Sequence, residues 1–220
     1  MTIRVLLADD EALLRMAFTT VLDAQPDMRP VGGAADGDEA VRLARQLRPD
    51  VVVMDVRMPG ADGIEATRRI IRVSPQSRVL ILTTFDLDAY AFAGLKAGAS
   101  GFLLKNVRPE SLLTAIRDVA AGDAVVSPRI TRRLLENFSA HIPGGGSDRR
   151  DERLRLLTAR ERQVLVQVAR GLSNTEIAAT LYLAEATVKS HLGRILHKLE
   201  LRDRVQAVVF AYESRLIHPD

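Results

Sequence analysis

The sequence predicts an α/β protein in which a doubly wound, five-stranded parallel sheet is joined by a linker to an all-α, four-helix helix-turn-helix domain. Three observations carry that prediction. Five short apolar runs alternate with segments of helical periodicity across the first half of the chain. A stretch from His141 to Arg153, with three glycines, a proline and mixed charge, has no apolar residue able to anchor it. Beyond it every segment has a helical pattern, and two capping boxes open consecutive helices. The boundaries that follow are a first domain over 1–122, a linker helix and flexible linker over 123–153, and a second domain over 154–220.

The strands are expected at Ile3–Ala8, Met28–Ala34, Val51–Met54, Val79–Leu82 and Gly101–Leu104. Between them, apolar residues recur at helical spacing, as in Leu13, Leu14, Ala17 and Val21, then Ala40, Leu43, Ala44 and Leu47, then Ile64, Ala66 and Ile70. A further helix is expected from Pro128 to about Ala140. In the second domain, Thr158-Ala159-Arg160-Glu161 opens a helix that ends near Arg170 and Gly171. Ser173-Asn174-Thr175-Glu176 opens a short second helix, Tyr182-Leu183-Ala184 forms a turn, and a third helix runs from Glu185 to Leu199. Asp203 caps a fourth, from Arg204 to about Arg215.

In a doubly wound sheet the chemistry lies beyond the carboxyl ends of the strands. Strand one there ends in Asp9-Asp10, strand three in Asp55 and strand four in Thr83, while strand five leads to Lys105. Taken singly, each has a plain explanation: a helix cap, β-propensity, a solvated lysine. Their placement at successive strand ends argues for a shared site. Three clustered carboxylates repel one another unless a divalent cation sits among them, and oxygen ligands on loop ends suit Mg2+. Asp55 is then placed as a nucleophile toward a phosphoryl group, with Lys105 and the Thr83 hydroxyl contacting its outer oxygens.

The motifs Val5-Leu6-Leu7-Ala8-Asp9-Asp10-Glu11, Met54-Asp55-Val56-Arg57-Met58-Pro59-Gly60-Ala61-Asp62-Gly63 and Gly98-Ala99-Ser100-Gly101-Phe102-Leu103-Leu104-Lys105 resemble those of response-regulator receiver domains. The resemblance implies that a sensor histidine kinase phosphorylates Asp55. It implies that Asp10 and Asp55 bind Mg2+ through their side chains, Asp9 through water and Arg57 through its backbone carbonyl. It makes Thr83 and Lys105 the switch hydroxyl and lysine, and Phe102 the aromatic that turns inward, against the plainer reading of a core side chain. Haloacid-dehalogenase-type phosphatases share an Asp nucleophile, Mg2+, a Thr or Ser and a Lys. They place a second Asp two residues after the nucleophile as acid and base, where this chain has Arg57. The expectation is therefore a protein that promotes only its own phosphotransfer and slow dephosphorylation, not an enzyme with turnover on other substrates.

In the second domain the third helix carries Val188, Leu192, Ile195, Leu196 and Leu199 as a core stripe and leaves Lys189, Ser190, Arg194, His197 and Lys198 outward. By itself that is an ordinary amphipathic helix with a solvated cationic face. The segments Leu157–Leu165, Gly171–Ala178 and Ala186–His191 resemble the LuxR-type helix-turn-helix, which with the receiver is similar to the NarL/FixJ group of response regulators. By that resemblance the helix enters the major groove of double-stranded DNA. Lys189, Ser190 and Arg194 become candidates for groove contacts, Thr175, Thr187 and Lys198 candidates for phosphate contacts, and Glu161 a cap that pairs within the domain. Two positions depart from the pattern: Ala184 stands where a capping Ser is usual, and Gly193 where a longer side chain is common.

Phosphorylation is expected to shift Thr83 and Phe102 and free the second domain to act as a homodimer on DNA, with RNA polymerase a further candidate partner. The stripe Val205, Val208, Val209 and Tyr212 on the fourth helix is the candidate dimer surface, or else core. The alternative function is a phosphate-independent receiver serving as a dimerisation module on a constitutive DNA-binding protein.

Composition bounds the rest. The absence of cysteine excludes a disulfide framework, a thiolate metal site and a Cys nucleophile, and fits a cytoplasmic location. No signal-peptide pattern precedes the first strand, and no apolar run reaches the roughly 18 residues that a membrane span needs. Residues 1–123 hold 15 Lys and Arg against 17 Asp and Glu, whereas residues 154–220 hold 10 against 7, so the mildly basic part is the one that resembles a DNA-binding domain.

Overall fold

A computed structural model describes residues 2–83, 93–122 and 152–217. The chain divides into two compact units, Met1–Val125 and Val126–Asp220. The expected helix from Pro128 to Ala140 and nearly all of the glycine-rich linker lie outside the described residues, as does most of the segment between the fourth and fifth strands.

The first unit contains β1 (Ile3–Ala8), α1 (Ala12–Asp23), β2 (Met28–Ala34), α2 (Gly37–Leu47), β3 (Val51–Asp55), α3 (Gly63–Val73), β4 (Arg78–Thr83), β5 (Gly101–Leu104) and α4 (Pro109–Ala121). The strands pair in the order β2-β1-β3-β4-β5, every pair parallel. A parallel sheet needs cover on both faces, which is why its strands are nearly continuous apolar runs. On one face Val5, Leu7, Val51, Val53, Leu80 and Leu82 pack against Phe18, Val21 and Leu22 of α1 and against Leu112, Ile116 and Val119 of α4. The alternate strand residues, among them Leu6, Val52, Met54 and Ile81, are buried on the other. The Asp36 and Asp62 side chains cap α2 and α3.

The phase of α1 differs from the sequence pattern. Leu13 and Met16 are, among the described residues, some of the most exposed large apolar side chains, and the inward face is made by Phe18, Val21 and Leu22. A short helix with apolar residues on several sides fits more than one phase, and the sheet selects the one that fills its groove.

The second unit contains α5 (Ala159–Ala169), α6 (Asn174–Leu181), α7 (Glu185–Leu199) and α8 (Arg204–Glu213). Both capping boxes form as expected, on Thr158 with Glu161 and on Ser173 with Glu176. Asp203 caps α8. Residues 152–155 form a helical turn before α5, and the Arg153 guanidinium lies 4.9 Å from the centre of the Phe210 ring, so this end of the expected linker packs on the second unit. Most of the fourth-helix stripe is interior: Val205, Val209 and Tyr212 are buried within the unit, while Val208 is half-buried. Arg204 fastens α8 to the turn before α6, donating to Asn174 Oδ1 at 2.7 Å and to the Leu172 carbonyl.

Candidate functional site

Parallel strands deliver their carboxyl ends to one edge, and five predicted residues sit along it. Asp9 follows β1, Asp55 ends β3 beside Leu82 of β4, Thr83 ends β4, and Lys105 follows β5. Asp9, Asp55 and Thr83 are buried and Asp10 is exposed. The Lys105 ammonium bridges the two buried carboxylates, 2.8 Å from Asp9 Oδ2 and 2.9 Å from Asp55 Oδ2, and lies 3.7 Å from Glu11 Oε1. Its own backbone amide donates to the Thr83 carbonyl at 2.7 Å, which fixes the loop after β5 to the end of β4.

Burial pushes the Asp55 carboxyl above its ordinary range, with the Lys105 hydrogen bond and charge holding it partly back. For Lys105, burial works against the ammonium, but its bonds to Asp9 and Asp55 outweigh this and hold it above the usual lysine value. The second oxygen of each carboxylate is also engaged: Asp9 Oδ1 accepts from the Glu11 amide at 3.0 Å, and Asp55 Oδ1 from the Arg57 amide at 3.4 Å.

Ligand oxygens of Asp9, Asp10 and Asp55 all lie within 4.8 Å of one another. Hard oxygen donors on loop ends, one of them open to solvent, fit Mg2+, which keeps several of its waters. The loop after Asp55 is held from below by Gly63, the first residue of α3, whose amide donates to the Val56 carbonyl at 2.9 Å. A Cβ at Gly63 would overlap the Asp55 carbonyl oxygen, so only glycine lets α3 begin this close to the acceptor.

Phe102 is fully buried, paired in register with Ile81. Its ring already lies inside, the position that a core aromatic and an inward-turned switch aromatic share.

On α7, Val188, Leu192, Ile195 and Leu199 are buried, Leu196 is half-buried, and Lys189, Ser190, Gly193 and Arg194 are exposed. Thr187 is half-buried and Thr175, on α6, is exposed. Lys198 is paired within the unit. Its ammonium is 2.7 Å from Glu161 Oε2, a carboxylate 2% exposed that also accepts from the Thr158 amide at 2.8 Å. The pair braces α5 against α7, and the Lys198 side chain, 34% exposed, has further ammonium donors beyond the one given to Glu161. Ala184 stands at the N-cap of α7 with no side-chain hydrogen bond. Two acidic residues near these sites were not singled out in the sequence: Glu11 beside Lys105, which only adjacency to Asp9-Asp10 signals, and Glu185, whose spacing of four from Lys189 is the helical signature of a pair.

The family model described as "Response regulator receiver domain" matches residues 5–117, and that described as "Bacterial regulatory proteins, luxR family" matches residues 155–211. The chain is 44% identical over 216 residues to the uncharacterized transcriptional regulatory protein YxjL of Bacillus subtilis, covering 98% of this chain and 97% of that one. It is 36% identical to the response regulator protein VraR of Staphylococcus aureus, covering 99% and 100%. Among solved structures it is similar to the response regulator ChrA of a heme-sensing two-component system, with a TM-score of 0.52, 36% identity and 98% and 99% coverage. The RcsB response regulator of Salmonella typhimurium matches with a TM-score of 0.55, 26% identity and 96% and 98% coverage.

Proposed function

The chain belongs to the response regulators that join a receiver to a LuxR-type DNA-binding domain, and from that membership we propose that phosphorylation of Asp55 by a sensor histidine kinase controls dimerisation and sequence-specific binding to double-stranded DNA. Residues 1–122 are the receiver, 123–153 the linker and 154–220 the DNA-binding domain. The observation that carries the reading is Lys105 bridging Asp9 and Asp55 at 2.8 and 2.9 Å on the carboxyl edge of the sheet.

In the transfer, an Asp55 carboxylate oxygen attacks the phosphorus of the kinase phosphohistidine. A P–O bond forms as the P–N bond breaks, and the imidazole leaves to take up a proton. Asp9, Asp10 and Asp55, with the Arg57 backbone carbonyl, would hold Mg2+, which neutralises charge on the phosphoryl oxygens. Lys105 exchanges one Asp55 oxygen for a phosphoryl oxygen, and the Thr83 hydroxyl, one residue beyond the Asp55–Leu82 register pair, donates to another. The change at Lys105 and Thr83 is the local event that shifts the receiver between states. Lys189, Ser190 and Arg194 of α7 face the major groove, with Thr175, Thr187 and Lys198 at the phosphates. The protein acts in the cytoplasm, and among the described residues no helix is long and apolar enough to cross a membrane.

A phosphate-affinity gel and a sizing run after treatment with acetyl phosphate and Mg2+ test this. Wild type is expected to show a shifted band and a larger species, and Asp55→Asn neither. Assembly and DNA binding in Asp55→Asn equal to wild type would favour the phosphate-independent dimerisation module instead.

A further inference from the structure

Glu185 stands in the first turn of α7, behind an N-cap whose side chain makes no hydrogen bond. Its carboxylate is shared between two helices. Oε2 accepts from the Thr175 hydroxyl of α6 at 3.0 Å, and Oε1 lies 3.2 Å from the Lys189 ammonium one turn along α7. Lys189 first and Thr175 second draw the Glu185 carboxyl below its ordinary range, so it is ionised at neutral pH. Thr175 and Lys189 are a phosphate and a groove candidate of the proposed interface. Glu185 presents them with what a DNA phosphate would present: two anionic oxygens receiving one hydroxyl and one ammonium. All three side chains sit on the exposed surface, in reach of a ligand, and the Lys189 and Glu185 side chains are 58% and 47% exposed.

Resting on the DNA-binding reading above, we infer that Glu185 is an internal counter-ion that DNA must displace from Lys189 and Thr175, and that it thereby suppresses sequence-independent binding. A duplex that offers only phosphates must break the Glu185 contacts and bring its own charge close to a fixed carboxylate. A duplex that also satisfies Ser190 and Arg194 has base contacts to offset that cost. Glu185 therefore weakens binding to every duplex by a similar factor, so that only a duplex with added base contacts stays tightly bound.

A carboxylate in the first turn also favours the helix through its dipole, so a structural role must be separated from a competitive one. The probe is a mixed-sequence duplex of about 30 base pairs, titrated by fluorescence anisotropy with the full chain, phosphorylated with acetyl phosphate and Mg2+, from roughly 50 to 200 mM salt. Glu185→Gln is expected to bind roughly three- to tenfold tighter at the low-salt end, with a log–log salt slope steeper by about one. The double variant Ala184→Ser/Glu185→Gln, which supplies the missing cap, is expected to show the same gain with the melting temperature restored. In a Lys189→Gln background the gain is expected to shrink to a small remainder. Unchanged or weaker binding by both glutamine variants overturns the inference while leaving the DNA-binding reading intact. A gain of equal size in the Lys189→Gln background overturns it too, because the carboxylate would then act only as a repelling charge. A wild-type chain that binds no duplex at low salt overturns the DNA-binding reading, and the inference with it.

Discussion

Two charged clusters of this molecule are built on opposite principles. At the edge of the sheet, Lys105 and the carboxylates of Asp9 and Asp55 are about nine-tenths buried or more, and each oxygen of those carboxylates has a partner. At the start of α7, Glu185, Lys189 and Thr175 make contacts of similar length on an exposed surface. The difference lies in what breaking them costs. Charges in low dielectric are strongly coupled, so removing one strands the others, whereas exposed pairs are screened by water and salt and exchange partners readily. For the phosphorylation proposed at Asp55, the first arrangement means that one added phosphoryl group disturbs several locked contacts together. A DNA-reading face profits from the second because its side chains must let go.

The sharpest way to break that comparison is to remove Lys105. Lys105→Met leaves two buried carboxylates facing each other without a counter-charge. The first unit is expected to lose about 3 kcal/mol in Mg2+-free buffer, read by calorimetry as a lower melting transition, with millimolar Mg2+ restoring part of it. An unchanged transition would mean that the cluster is no more coupled than a surface pair.

Lys198 provides an intermediate case inside the second unit. Its partner Glu161 is buried, but Lys198 itself is about one-third exposed, so solvent screening reduces the pair's contribution. Lys198→Met is expected to cost about 2 kcal/mol, while Lys189→Met leaves the melting transition of the same unit unmoved. The pH dependence follows from Glu161. Burial raises its carboxyl, but the Lys198 bond and the Thr158 amide outweigh burial and hold it below the ordinary 4.5. A carboxyl depressed in the folded state contributes its full stability above its unfolded value and loses it as pH falls through the folded one. The transition of the second unit is therefore expected to drop below about pH 4.5, and Glu161→Gln to flatten that acid limb.

What could be read in advance divides along the same line. The buried edge was legible because topology does the work: once five parallel strands are recognised, their carboxyl ends must converge, and Asp9, Asp55, Thr83 and Lys105 need only be located at strand ends. Capping boxes and strand limits are local signals and were read within a residue or so at nearly every boundary. The exposed face was less legible because side-chain pairing is decided by neighbours in space. Lys198 reads as one more outward cation until α5 brings Glu161 beneath it. Leu13 reads as core until the sheet selects another face of α1. Tyr182, left-handed at φ 54 and 95% exposed, occupies a helix end where glycine is the usual residue, and its sequence carries no sign of it.

The smallest expected effects fall on the two departures in α7, and they ask whether the exposed face has sacrificed stability for contact. Ala184→Ser should add the missing cap and raise stability by about 1 kcal/mol. Gly193→Ala should contribute a similar amount, roughly 1 kcal/mol, because glycine in a helix interior forgoes that much. A Cβ at Gly193 meets nothing within 4 Å, so no packing within the second unit calls for a glycine there. Gly193 is exposed one turn beyond Lys189 and beside Arg194, on the face assigned to DNA. A glycine that the fold does not need, on a face that meets a ligand, points to close approach between the α7 backbone and that ligand. Gly193→Ala is therefore expected to melt higher, to bind duplex DNA more weakly, and to keep the wild-type salt slope, since no charge changes. Calorimetry and a salt titration of binding read all three quantities. Higher melting with unchanged affinity would mean that the backbone keeps its distance and that the contact is made by Lys189, Ser190 and Arg194 alone.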